Sequence, residues 1–475
     1  MLWGMHDDCN PVVLSGPGDC PPTFLGAPIV KRGTGQELCT KCLEILAVYD
    51  IPIESIIAAV FDTTASNTGI QQGCCTRLEQ AIQHAILWNA CRHHMAELHV
   101  KHMWSSFMPA TKGPEEPMFK RFQKWYLPLA RKAAAAAPSR QFPDPNVLVR
   151  WEWPADFTSS PHIGPYSITT TLALASKEWA RAQLETNTFE REDYRELTES
   201  IYFYLGGDVS PYEAVQVPRG FRMRRPGAMH SARFMASSIY LLKMQLLSSI
   251  WAMKAREQTV VEKMAQIVAL LYGPYYLKSR LSTSAPRHDL EFYYSLLAYI
   301  SVEPAAARKG LDSVRRHMWY LVPEQVILCL FDDMVSDKEK KKVADALVAL
   351  PAPRYFAPGK PNFQPVIRLL TDTRPSLAVY VTERSWLLFK LFRLDTAWLL
   401  TEPATWPLSP AYQELRDLTR DMKVVNDSAE RAVKDVQEYA NMTRDAGHID
   451  DVILVGIDHR CRLSHLRKAD LNDII

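Results

Sequence analysis

The chain has 475 residues, 47% of them hydrophobic and 23% charged, and its 55 lysines and arginines nearly balance 53 aspartates and glutamates at a formal net charge of +2. That length exceeds a single compact core and predicts a main domain with a sizeable insertion or a second domain. The charge balance excludes a histone-like or polyanionic protein, so any nucleic-acid surface must be local.

From the N-terminus, MLWGMHDDCN has no basic region followed by an apolar stretch, and no span reaches the roughly 20 apolar residues of a membrane helix. Nine cysteines, an odd number without the spacing of a secreted framework, fit a reducing compartment. A soluble, intracellular protein is therefore expected, with no membrane partner.

The first 105 residues alternate. Val12–Leu14 and Phe24–Val30 predict short strands, Gln36–Tyr49 a helix, Ile56–Phe61 a strand, about Gly69–His84 a helix and Ala85–Ala90 a strand. Helix-covered mixed sheet is the expected outcome. From 133 to 165 an alanine run gives way to six prolines, which predicts an irregular excursion. Almost everything from Ser176 to Trp406 reads as helix, with long amphipathic stretches at Arg233–Ala255, Val260–Tyr272, Leu290–Ile300, Asp312–Met334 and Pro375–Leu394. The last 70 residues also read as mostly helical. Two tandem domains, or one sheet domain with a helical insertion, would both give this layout.

Four segments could carry chemistry. Phe61-Asp62-Thr63-Thr64-Ala65-Ser66-Asn67-Thr68-Gly69 follows a strand and precedes a helix, where open α/β sheets place ligand-binding carboxylates. Asp62 and Asn67 could equally shape the loop through side-chain to backbone hydrogen bonds. In Cys91-Arg92-His93-His94-Met95-Ala96-Glu97, Cys91 and His94 have the spacing of a zinc half-site. Cys39 with Cys42, or Cys74 with Cys75, could complete it, but no second half-site stands at a recognised spacing. A Cys and His tying helix to sheet is the favoured reading, and zinc the disfavoured one.

Between Glu213 and Glu257 no acidic residue occurs, whereas Arg219, Arg222, Arg224, Arg225, Arg233, Lys243, Lys254 and Arg256 do. Gly220, Pro226 and Gly227 break the arginine-rich part into loop, which suits either contact with a phosphate backbone or a solvated surface. Lastly, Val425-Asn426-Asp427-Ser428-Ala429-Glu430-Arg431-Ala432-Val433 opens a helix, with Asp427 as N-cap and Glu430 at the third helical position. Those local roles account for the segment.

Taken in order, FDTTASNTG with CRHHMAEL, RRPGAMHSARFM, HMWYL and VNDSAERAV resemble a metazoan group of transposase-like proteins related to the hAT superfamily of cut-and-paste transposases. The resemblance implies an RNase H-like core of DDE type, its mixed sheet and helices interrupted by a large all-helical insertion. Residues 1–105 would form the first part of that core, 106–420 the insertion with its proline-rich segment, and 421–475 the helices that complete the core. It further implies Asp62 and Glu430 as catalytic carboxylates and ligands of magnesium or manganese, supported by Thr63, Asn67, Cys91, His93 and His94. The segment of Arg233 and Phe234 resembles an Arg-Trp motif, with Phe in place of Trp.

The implied function is metal-dependent DNA cleavage and strand transfer in an ancestor, in a protein expected to be nuclear, to bind DNA and to be capable of homo-oligomerising. In similar proteins a further aspartate stands in a Trp-Asp-Gly-Lys-like run whose place here falls just before Met1. Asp7 and Asp8 lie past it, so an inactive protein or a fragment is expected. The alternatives are a domesticated nucleic-acid-binding protein without catalysis, and a helical interaction protein with a zinc-stabilised N-terminal module.

Overall fold

A computed structural model describes residues 10–16, 22–108, 116–135, 147–149, 168–189, 191–212, 221–223, 236–278, 280–427 and 429. The chain divides into two compact units: Met1–Arg92 with Ser279–Glu291 and Arg316–Ile475, and His93–Lys278 with Phe292–Arg315. Segments 279–291 and 316–420, assigned by the resemblance to the insertion, thus belong with the strand-bearing unit.

In the strand-bearing unit, β1 (Val12–Leu14) pairs antiparallel with β2 (Thr23–Gly26), Val13 opposite Phe24. Helix α1 (Gly35–Val48) follows, its N-cap Thr34 accepting from the Glu37 amide while the Glu37 carboxylate accepts from the amides of Lys31 and Arg32. Strand β3 (Ala58–Phe61) runs parallel to β4 (Leu87–Ala90), Ala58 opposite Leu87 and Phe61 opposite Ala90. The crossover is made by the single turn α2 (Ala65–Thr68) and by α3 (Cys74–Ile82), which stops at Gln83 in the left-handed region at φ 64°.

The expected single mixed sheet is replaced, among the described residues, by three separate two-stranded ladders, of which β3–β4 alone is parallel. One reason lies at the far edge of β4, where side chains take the place of a strand. The Tyr320 hydroxyl donates to Ala90 O, and Gln325 Nε2 donates to Trp88 O at 3.2 Å and to Asn89 Oδ1 at 3.0 Å. All four β4 residues are buried, whereas Val60 on β3 is 39% exposed.

Two long predicted helices are broken by proline and by side-chain caps. The Asp312–Met334 expectation resolves into a helix ending at Arg316, a buried non-helical run of Met318 to Val322, a short helix Pro323–Val326 and a 3-10 turn Ile327–Phe331. Pro323 restarts the helix at its first turn, where a missing N–H costs nothing. The Pro375–Leu394 expectation resolves into the 3-10 turns Leu377–Tyr380 and Glu383–Trp386 and a short helix Leu387–Phe392, because Ser376 and Thr382 cap new starts.

Inside this unit, buried Glu79 of α3 anchors the crossover. Its Oε1 accepts from Ile86 N and Trp88 Nε1, each at 2.9 Å, and its Oε2 from Gly359 N at 2.7 Å. Burial raises its carboxyl, the three N–H donors pull it back, and the balance leaves it above the usual range. The folded state then holds more proton than the unfolded chain between the ordinary and the raised pKa. The Glu79 contribution to stability is accordingly greatest below the ordinary value and falls as pH rises through the raised one. Thermal melts between pH 4 and 7 should show a shallower decline for Glu79→Gln than for the native chain; equal slopes would remove Glu79 from the account.

The second unit is almost wholly helical. Its main elements are α4 (Arg92–Trp104, entering from the other unit), α5 (Pro117–Ala135), α6 (Ile168–Thr186), α7 (Glu192–Tyr204), α8 (Ala236–Leu246), α9 (Ala255–Ile267) and α10 (Gly273–Lys278). The predicted Arg233–Ala255 helix is shorter, since α8 ends at Leu246 and α9 begins at Ala255. A buried π-helical stretch, Val268–Tyr272, joins α9 to α10. Charges inside are paired, with Lys243 Nζ 2.5 Å from Glu196 Oε1 and Arg195 Nε 2.6 Å from Glu199 Oε1. The pair β5 (Val147–Val149) and β6 (Phe221–Met223) is antiparallel. Of the expected 133–165 excursion, residues 133–135 end α5 and 147–149 form β5; its other residues lie outside the described ones. No helix among the described residues is long and apolar enough to cross a membrane.

Candidate functional site

The site begins where the parallel strands end. Apolar Ala58–Phe61 commits the chain to β3, and Asp62 is the first residue beyond it. Asp62 Oδ1 accepts from Thr64 N at 2.9 Å and from Asn67 Nδ2 at 3.0 Å. Asp62 therefore does shape the strand-to-helix loop, as the local reading expected. Both bonds fall on one oxygen, and Oδ2 accepts none among the described residues. Thr63 Oγ1 is buried without a hydrogen-bond partner among the described residues.

The loop is pressed against its surroundings backbone to backbone. A methyl group on Gly73 would lie 2.4 Å from Gly69 N and 2.7 Å from Asn67 O, and one on Gly35 would lie 2.2 Å from Gln72 O. Only glycine permits this approach at either position.

On the neighbouring strand, Cys91 directly follows β4 and is fully buried. Its amide donates to Phe61 O at 2.6 Å, extending the parallel ladder to the residue before Asp62. Its thiol donates to Asn426 Oδ1 at 2.8 Å. Arg92 N donates to Val424 O at 2.8 Å, while residues 422 to 424 are themselves tied to 280 to 282 by Ser282 N to Met422 O and Val424 N to Arg280 O. The segment that opens VNDSAE is thus pinned beside the end of the parallel strands. Asp427, expected as an N-cap, lies in helical conformation and is buried.

The expected site residues separate as follows. Asp62, Thr63, Asn67 and Cys91 gather at the end of β3–β4. His93 is fully buried in the helical unit, stacked on Tyr276 with ring centroids 4.1 Å apart and edge-on to Tyr194 at 5.6 Å. That environment gives His93 a packing role. His94 is half-buried. The Cys91 thiol is engaged by Asn426, and among the described residues no three His, Cys, Asp or Glu side chains stand around a common cation position. Glu430 and the side chains of Arg219, Arg222, Arg224, Arg225 and Arg233, with Phe234, lie outside the described residues.

Two partners were missed by sequence reasoning. Asn426 reads locally as a loop residue before a helix, and nothing in its spacing pairs it with a cysteine 335 positions earlier. Asp289, the partner of Arg92 at 2.6 Å, stands just before the predicted Leu290–Ile300 stretch and belongs to no motif. No protein-family model, no curated protein and no solved structure matches this chain.

Proposed function

We propose that the protein derives from a DNA transposase with an RNase H-like core, whose ancestor cut and joined DNA with divalent metal ions held by Asp62, Glu430 and a further aspartate. The observation that carries this reading is the bridge from Phe61 O through Cys91 to Asn426. It brings the start of the VNDSAE segment to the strand end that bears Asp62. Glu430 lies four residues past Asn426, within a reach of at most about 14 Å of extended chain.

Asp62 fits a magnesium or manganese ligand in its chemistry: a hard carboxylate at a half-buried strand end, with one oxygen taken by the loop, and such ions prefer oxygen ligands. When bound, a pair of such ions activates the attacking oxygen and stabilises the leaving oxygen of a phosphodiester. The chain's own part is to fix the Asp62 carboxylate through Thr64 N and Asn67, and to hold the VNDSAE segment through Cys91. DNA as partner, residence in the nucleus and self-association belong to the same reading.

Iron-directed backbone cleavage tests it. Fe(II) loaded in place of magnesium, with ascorbate and peroxide, should cut the chain near both residue 62 and residue 430. Asp62→Asn keeps an oxygen acceptor for the loop and should abolish both sets of cuts. Cuts confined to one region, or unchanged by Asp62→Asn, would defeat the shared site.

A further inference from the structure

Between the helix Asp337–Val348 and the short helix Gln364–Leu369 the chain forms neither helix nor strand. Phe356 and Pro361 are buried and anchor this strap within the strand-bearing unit. Between those anchors, Gly359 and Lys360 hold it in a different way. Gly359 N donates to Glu79 Oε2 at 2.7 Å. Lys360 Nζ stands 5.2 Å from the ring centroid of Trp319 and 5.4 Å from that of Phe363. Gly359 lies at φ 143°, and a methyl group there would meet nothing within 4 Å, so open space adjoins the tethered amide.

Glu79 is 1% exposed, and its two oxygens are loaded unequally. Oε1 accepts from Ile86 N and Trp88 Nε1, each at 2.9 Å, whereas Oε2 accepts from Gly359 N alone among the described residues. All three partners are N–H donors, so a proton arriving on the carboxyl finds no acceptor among them. It goes to Oε2, the oxygen with fewer bonds, and turns the acceptor of the Gly359 amide into a neutral hydroxyl. Charge-assisted hydrogen bonds are roughly twice as strong as neutral ones. Protonation therefore weakens the tether of the strap while Oε1 can still accept both N–H groups of the crossover. The ionisable groups that bear on Glu79 are Cys75 on its own helix, kept protonated by burial and by Glu79, and Arg384, whose charge is shared with Glu324. Lys360, beside the tethered glycine, is held below the ordinary amine range by burial, and β4 contributes no ionisable side chain.

We propose that Glu79 is a pH-operated latch on residues 357–360. As a carboxylate it holds Gly359 and keeps Lys360 over the rings of Trp319 and Phe363; as a neutral acid it lets both go and leaves the Ile86 and Trp88 contacts in place. Burial keeps the Glu79 carboxyl above the ordinary range, so release sets in at a higher pH than the titration of an exposed glutamate. Trp319 also meets Phe61, the residue before Asp62, at 6.2 Å between ring centroids, which carries the state of the latch to the strand end. The latch is independent of what Asp62 binds.

Amide hydrogen exchange of the unsubstituted chain, corrected for intrinsic rates, should show Gly359 losing protection by about 10–100-fold between pH 7 and pH 4, the range for loss of a hydrogen bond to a charged group. The Ile86 amide should change by no more than a few-fold. Glu79→Gln keeps an oxygen for Ile86 and Trp88 but presents an NH2 that cannot accept from Gly359. At pH 7 this variant should leave Gly359 as poorly protected as the unsubstituted chain at pH 4, with Lys360 acetylated faster and Ile86 still protected. The latch is overturned by Gly359 protection that does not change with pH, or by an equal loss at Ile86, which would mean that the whole crossover opens. A Glu79→Gln chain that keeps the pH dependence, or the original reactivity of Lys360, would overturn it as well.

Discussion

Asp289→Ala should destabilise the strand-bearing unit by about 3–5 kcal/mol, the cost of leaving a buried charge without its counter-ion. Arg92 and Asp289 are 2% and 3% exposed, and Nη1 lies 2.6 Å from Oδ1. The guanidinium carbon also sits 5.0 Å from the ring centroid of Tyr320, and Nη1 donates to Ala285 O at 3.4 Å. This one side chain therefore holds segments 279–291 and 316–326 against the residue that follows Cys91. The penalty comes from desolvation: an uncompensated cation in the interior loses hydration that no neighbour restores. Replacing both partners by apolar groups, as in Arg92→Met with Asp289→Leu, should recover most of the loss. Urea denaturation followed by tryptophan fluorescence measures it. A single substitution that costs less than about 1 kcal/mol, the range of exposed pairs, would show that the pair is solvated in solution.

Trp319→Ala should cost the same unit about 3–5 kcal/mol through loss of buried area and the cavity left behind. Trp319 is 2% exposed and stacks on Trp88 with centroids 6.1 Å apart at 18°. Phe61 and Phe363 meet it edge-on at 6.2 and 4.9 Å, and Lys360 Nζ lies 5.2 Å from its ring centroid. The cluster packs against both parallel strands one residue before Asp62, so its loss should loosen the strand end as well as the core. The indole N–H has no hydrogen-bond partner among the described residues. Trp319→Phe consequently strands no polar group and should cost clearly less, about 1–2 kcal/mol. Calorimetric melting of the two variants separates these effects. Similar losses for Ala and Phe would place the energy in the N–H and contradict the packing account.

Much of the strand-bearing unit was legible because its elements are short and locally punctuated. Val12–Leu14 was read without error, and α1 and β4 to within one or two residues. Asp62 was placed at a strand end from the apolar run before it and the loop residues after it; its bond from Thr64 N is the side-chain to backbone kind that pattern implies, whereas its bond from Asn67 Nδ2 joins two side chains. Helical periodicity misled at Asp312–Met334 and Pro375–Leu394. There the apolar residues are so dense that a helix face and a buried irregular run look alike, and the prolines and caps carried the discriminating signal. The partner of Cys91, left open by spacing alone, was decided by tertiary contact, which gives its thiol to Asn426.

By itself the sequence determined the local facts: where runs of apolar residues form strands, which loop bears Asp62, and that a helix lies at about Gln36–Tyr49. Tertiary structure alone decided which distant groups meet, Arg92 with Asp289, Cys91 with Asn426 and Tyr320 with the free edge of β4. The division is physical. Periodicity and capping act within a few residues and leave a trace in spacing, whereas buried polar groups are matched by the cost of leaving any one of them unpaired, and that cost is indifferent to separation along the chain.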